Sequence, residues 1–125
     1  MYAGRSVLVV DALEETREVL RTALGRRGVQ ILSASEAEQG LALARLHHPD
    51  LIVLDLECEQ GKAAACGELT ALAEDTPVVL LGNARRTSNC LPRGQFVSKP
   101  YHYAPLIRKI EGLLEEARQP ATRAA

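Results

Sequence analysis

No apolar run in this chain is long enough to cross a bilayer, and no basic segment followed by an apolar core marks the N-terminus for export. A membrane partner is not expected, and the chain reads as cytoplasmic. A surplus of positive charge is missing too. Fifteen Lys and Arg stand against 16 Asp and Glu, for a net charge of −1, and the two signs are interleaved. That lacks the basic footprint which holds phosphate backbones, so no nucleic-acid partner is expected for this domain. Cysteine is scarce: Cys58, Cys66 and Cys90 form an odd, widely spaced set without a Cys-x-x-Cys pair. Reduced thiols fit this better than a disulfide framework or a zinc site. What is present is ordinary for a folded domain. With 46% hydrophobic and 25% charged residues over 125 positions, the chain can bury one core, and a second domain does not fit.

Four apolar runs read as strands: "SVLVV" at 6–10, "VQILSA" at 29–34, "LIVLD" at 51–55 and "PVVLLG" at 77–82, with a weaker fifth, "QFVSK", at 95–99. The first, third and fourth are continuous rather than alternating, as expected of parallel strands covered on both faces. Helical patterns fall between them. Val19, Leu20, Ala23 and Leu24 share a face, with Gly28 as the stop. Ser35–Glu38 has the spacing of a capping box, opening a helix with Ala37, Leu41, Ala44 and Leu46 that ends before Pro49. An alanine-rich helix is expected at about 62–74 and a last one at about 103–117, where Leu106, Ile107, Ile110, Leu113 and Leu114 lie on one side. Strands and helices alternating at this spacing imply right-handed crossovers and a three-layer, doubly wound α/β sandwich over 1–118. The stretch 119–125 has no periodicity and reads as a flexible tail.

In open α/β sheets the functional crevice lies beyond the carboxyl ends of the strands. Asp11 follows the first strand, Asp55 ends the third and Lys99 follows the fifth. Two carboxylates and an amine therefore converge on one edge. A nucleotide- or flavin-binding enzyme is disfavoured, because the turn "DALEET" after the first strand has no glycine to admit a phosphate. His47, His48 and His102 show no metal-ligand spacing, and Arg85 and Arg86 read as surface residues.

From Ser6 to about Ala117 the chain resembles the receiver domain of two-component response regulators. The resemblance rests on "VLVVD" leading into a helix, "HPDLIVLDL" around Asp55, "PVVLLGN" and "FVSKPY". It implies a flavodoxin-like five-stranded parallel sheet in the order 2-1-3-4-5. It implies that Asp55 accepts a phosphoryl group from a histidine kinase or phosphotransfer protein, and that Asp11 and Asp55 hold Mg²⁺, with Glu57 contributing through backbone or side chain. Lys99 then stabilises the phosphoryl group, Pro100 is the cis-proline and Phe96 is the switch aromatic. Such a domain is not an enzyme beyond catalysing its own phosphorylation. Its downstream protein partner would meet the face made by helix four, strand five and helix five.

Four features depart from the family pattern. Ala12 replaces the second acid after the first strand, and Gly82 stands where the fourth strand usually supplies a hydroxyl. The loop after Asp55, "LECEQGKAA", lacks the usual proline. The segment between Gly82 and Lys99 is short, so helix four is expected to be short or irregular. Losing a carboxylate weakens a Mg²⁺ site, for which Glu57 or Glu15 are the substitutes in reach. Losing the hydroxyl removes a hydrogen bond to developing charge. The alternative is a pseudo-receiver, a module that binds a partner without phosphate and uses Tyr101, Tyr103, Phe96 and the last helix as its surface.

Overall fold

A computed structural model describes residues 4–55, 68, 71, 76–82 and 95–117, with 95, 96, 98 and 117 described by their backbone alone. Five strands, β1 (Ser6–Val10), β2 (Gln30–Ala34), β3 (Leu51–Asp55), β4 (Val78–Gly82) and β5 (Gln95–Ser98), form one sheet. Every pair is parallel, in the order β2-β1-β3-β4-β5. The register sets Val10 beside Leu54 and Ala34, Asp55 beside Leu81, and Gly82 beside Ser98. The strand carboxyl ends are thereby level, and the residues that follow them share one edge.

The continuous apolar runs are explained by burial on both faces. Val7, Val9, Leu51, Val53, Val79 and Leu81 pack on one side with Leu20 and Leu24 of α1 (Glu14–Gly25) and Leu106, Ile110 and Leu114 of the last helix (Tyr103–Ala117). Leu8, Val10, Ile52, Leu54, Val78 and Leu80 pack on the other side with Ala37, Leu41 and Ala44 of α2 (Ala37–His47). Alternate side chains of one strand thus serve two cores, so a polar residue at any central position would face a hydrophobic layer.

The helices show why they sit where they do. Gly40 lets α2 approach β1 closely, since a Cβ there would lie 2.5 Å from Val10 Cγ2. After α1 the chain turns through Gly28 at φ 91°, a left-handed conformation suited to glycine. An Arg27–Glu111 ion pair of 3.1 Å ties that turn to the last helix. At the opposite edge, Asp50 Oδ2 accepts the Ser6 N–H at 2.8 Å and the Asp50 N–H donates to Ser6 O at 2.8 Å, which joins the entries of β1 and β3.

Three local expectations are corrected. The α2 N-cap is Glu36, with no side-chain cap, rather than Ser35 in a capping box with Glu38. Instead the Ser35 N–H donates to Gln39 Oε1 at 3.2 Å, so the reaching-back side chain comes one residue later. Leu46 is 71% exposed rather than part of the α2 core face. It lies two residues, about 200°, past Ala44 and so points to the opposite side. β2, β4 and β5 are each one residue shorter than expected, and Val29, Pro77 and Lys99 flank them. Residues 68 and 71 are helical, within the helix expected at 62–74. The short fourth helix and the 119–125 tail lie outside the described residues.

Candidate functional site

Asp11 leaves β1 in extended continuity with it, its N–H donating to Ala34 O of β2 at 3.0 Å. The side chain is 1% exposed and folds over the entry of α1, where Oδ1 accepts the Leu13 N–H at 2.8 Å. Leu13 is the α1 N-cap and has no side-chain oxygen, so the aspartate two residues earlier fixes the turn into the helix. The other oxygen, Oδ2, is buried without a hydrogen-bond partner. Such an oxygen is costly unless a proton or cation meets it.

Asp55 ends β3 at 4% exposure, on the next strand. Lys99 Nζ reaches both of its oxygens, at 2.9 and 3.0 Å, from the turn after β5. The position of Lys99 is set by its own N–H, which donates to Gly82 O at 2.9 Å, and by a cis Lys99–Pro100 bond. The expected cis-proline is present. Asp11, Asp55 and Lys99 thus meet at the carboxyl edge, as the sequence placed them.

The charge balance explains the protonation behaviour of Asp11. Burial, and then the charge of Asp55, raise its carboxyl from the usual 3.8 to about 6, against the opposing bond from Leu13 and the more distant Lys99 ammonium. The Lys99 ammonium is bonded to Asp55 and offsets the Asp11 charge only in small part.

The donor set fits a hard divalent cation in kind, since two buried carboxylates, one with an orphaned oxygen, face one crevice. It is short in number. Among the described residues no group of three His, Cys, Asp or Glu side chains converges. Ala12 and Glu15 are both exposed on the turn into α1, so Glu15 does not take up the missing acid's place. Glu57, Arg85, Arg86 and the three cysteines lie outside the described residues, as does the side chain of Phe96, whose backbone pairs with Leu80.

Beside the carboxylates a cavity of about 510 Å³ opens between α1 and the turn into the last helix. Its walls are Leu13, Thr16, Pro100, Tyr101 and Tyr103, and it runs up to Asp11 and Lys99. The two tyrosine rings stand edge to face, 5.9 Å apart at 82°. Thr16 Oγ1 and the Tyr103 hydroxyl are 3.3 Å apart, and burial pushes the Tyr101 phenol up. Sequence reasoning read both tyrosines as contact surface and missed Thr16. The available signal was position: Thr16 falls in the first turn of the helix that Asp11 introduces, on the inner side with Leu20 and Leu24.

The model of the response regulator receiver domain matches residues 7–111. The transcriptional regulator ycf27 of Cyanophora paradoxa is 30% identical over 122 residues, which is 93% of this chain and 51% of that protein. KdpE of Escherichia coli, the KDP operon transcriptional regulatory protein, is 30% identical over 124 residues, 95% of this chain and 54% of its own length. The chain therefore spans about half the length of the curated relatives it matches. Among solved structures, NtrX of Brucella abortus superimposes with a TM-score of 0.75 at 26% identity, over 95% of this chain and 28% of that one. A two-component response regulator from Clostridium difficile shares the fold, with a TM-score of 0.74 at 20% identity, over 89% of this chain and 96% of that one.

Proposed function

The chain belongs to the response regulator receiver family of two-component signalling, and from this membership we propose that Asp55 is its phosphoacceptor, fed by a histidine kinase or phosphotransfer protein. The observation that carries the reading is the Lys99 ammonium spanning both oxygens of a buried strand-end aspartate. An Asp55 oxygen attacks the phosphorus of a phosphohistidine, the P–N bond breaks, and the imidazole leaves with the electron pair and takes up a proton. Lys99 then turns from Asp55 to the oxygens of the new acyl phosphate, a move its partly exposed side chain permits. Receiver domains typically use Mg²⁺ for this reaction, and Asp11 and Asp55 are the residues that would hold it. When bound, the ion offsets the charge of a carboxylate meeting a phosphoryl group. Asp11 would contribute its orphaned oxygen to that site, Ala12 leaves the site one carboxylate short, and Gly82 leaves the phosphoryl group without a hydroxyl donor.

Receivers generally are not enzymes. Among the described residues no helix is long and apolar enough to cross a membrane. The named relatives are transcriptional regulators, so the expectation of no nucleic-acid partner concerns this domain's own surface and not a longer protein of that kind. The proposed contact face for an output partner is that of helix four, strand five and helix five, with Phe96 as the proposed switch.

A second reading is favoured by the two missing groups at Ala12 and Gly82: a pseudo-receiver that binds its partner without phosphate. One experiment separates them. The protein is incubated with Mg²⁺ and acetyl phosphate and examined by mass spectrometry for a hydroxylamine-labile phosphoryl adduct. An adduct on Asp55, lost in Asp55→Asn, supports the phosphoacceptor. No adduct and no measurable Mg²⁺ affinity supports the pseudo-receiver.

A further inference from the structure

The cavity beside Asp11 has its own chemistry, whatever happens at Asp55. We propose that it binds a small organic cation, a primary ammonium carried on a compact aromatic or branched apolar body. Its volume of about 510 Å³ lies within the range of roughly 300–1,000 Å³ typical of small-ligand sites. Leu13, 61% exposed although it caps a helix, and the side chain of Pro100 give an apolar entrance. The edge-to-face tyrosines offer a ring face and a ring edge to a guest. An apolar body covers Leu13 as it enters, which water does not.

The sign of the guest's charge follows from the wall. Among the described residues Lys99 is the cationic side chain on it, and its ammonium is already bonded to both oxygens of Asp55. An anion would meet the Asp11 carboxylate and the acidic first turn of α1, Glu14 and Glu15. A cation finds the opposite. Asp11 Oδ1 accepts the Leu13 N–H and Oδ2 has no hydrogen-bond partner, so an entering ammonium meets a carboxylate on the wall with an oxygen left to pair with. The Thr16 and Tyr103 hydroxyls, each still with lone pairs to offer, accept further ammonium protons, and the tyrosine rings attract a cation through their π faces.

The test is titration calorimetry of the full chain without divalent ions, using phenethylamine, the isosteric phenethyl alcohol and the anionic hydrocinnamate. Saturable binding of the amine to one site is expected, tighter than the alcohol by about tenfold, with the anion weaker still. Asp11→Asn should erase the preference for amine over alcohol. Tyr101→Ala, checked for folding by circular dichroism, should weaken the amine by about tenfold. Leu13→Ser, at an exposed position that folding tolerates, should weaken amine and alcohol alike. The proposal is overturned if the amine does not saturate, if the alcohol binds as tightly, or if Leu13→Ser and Asp11→Asn both leave amine binding unchanged. Failure here leaves Asp55 phosphorylation untouched, because that is read by a different adduct.

Discussion

Replacing Asp11 with asparagine should make the protein more stable at alkaline pH and leave it unchanged in acid. The raised carboxyl means that the folded state holds this proton more tightly than the unfolded chain does. Between the unfolded value of 3.8 and the folded value of about 6, the folded protein carries more of the proton, so stability falls as pH rises through that window. Above it the loss is complete and constant. A rise of about two units corresponds to about 3 kcal/mol, at roughly 1.4 kcal/mol per unit. Asparagine keeps an oxygen for the Leu13 N–H, has nearly the same volume, and removes the charge that burial and the nearby Asp55 oppose.

The assay is urea unfolding followed by far-UV circular dichroism, in buffers without divalent ions, at pH values on both sides of the window. Wild type should lose about 3 kcal/mol between acid and pH 8 relative to Asp11→Asn, with most of the divergence between pH 4 and 6. Magnesium adds a second arm. An ion that binds only the folded protein should stabilise wild type at pH 8, because it satisfies the ionised Asp11, and stabilise the variant less. Parallel pH profiles in the two proteins, or an Asp11→Asn variant less stable than wild type at pH 8, would refute the reasoning, since the Asp11 oxygen would then already have a compensating partner.

Other outcomes follow from the same structure. Lys99→Met strands the buried Asp55 carboxylate and should cost about 2–3 kcal/mol, below the usual figure for a buried pair because the lysine is partly exposed; adding Asp55→Asn should restore most of it in a double-mutant cycle. Gly40→Ala should destabilise by about 1–2 kcal/mol in thermal melts despite the better helix former, because the new methyl meets Val10 Cγ2, and Val10→Ala should relieve it. Leu41→Ala should cost about 2–3 kcal/mol whereas Leu46→Ala stays within about 0.5, a contrast that tests the orientation of α2. Ala12→Asp, returning the second acid to the turn after β1, should raise Mg²⁺ affinity measured by calorimetry by about tenfold or more.

The sheet was legible because its signal is redundant. In β1, β3 and β4 every residue of "VLVV", "LIVL" and "VVLL" is buried, as short continuous apolar runs require when both faces of a parallel strand are covered. Helix ends carry a weaker signal, decided by single hydrogen bonds. Ser35 and Glu38 have the spacing of a capping box, but Gln39 competes for the same N–H and lies where the first turn can reach it. Leu46 reads as apolar periodicity only if the pattern is allowed to drift, and the helix does not drift with it.

At the site, the residues that abut strand ends were readable because topology alone brings them together. Asp11, Asp55 and Lys99 need no loop conformation to meet, only a parallel sheet with its carboxyl ends level. Thr16 and the cavity were not readable, because they depend on how the chain after Pro100 folds back across the start of α1, which no local pattern states. The same dependence explains the tyrosines. Tyr101 and Tyr103, candidate contact surface in the pseudo-receiver reading, are half-buried, and Tyr103 meets Thr16 across the chain. The feature that distinguishes this receiver is therefore double. Ala12 takes a carboxylate away from the crevice, leaving Asp11 with an oxygen that neither Lys99 nor any described donor reaches, and the neighbouring hydroxyl-lined cavity opens onto that same aspartate. A cation bound in this crevice, metal or organic, would meet that unsatisfied oxygen, so Mg²⁺ and an ammonium guest should compete for it.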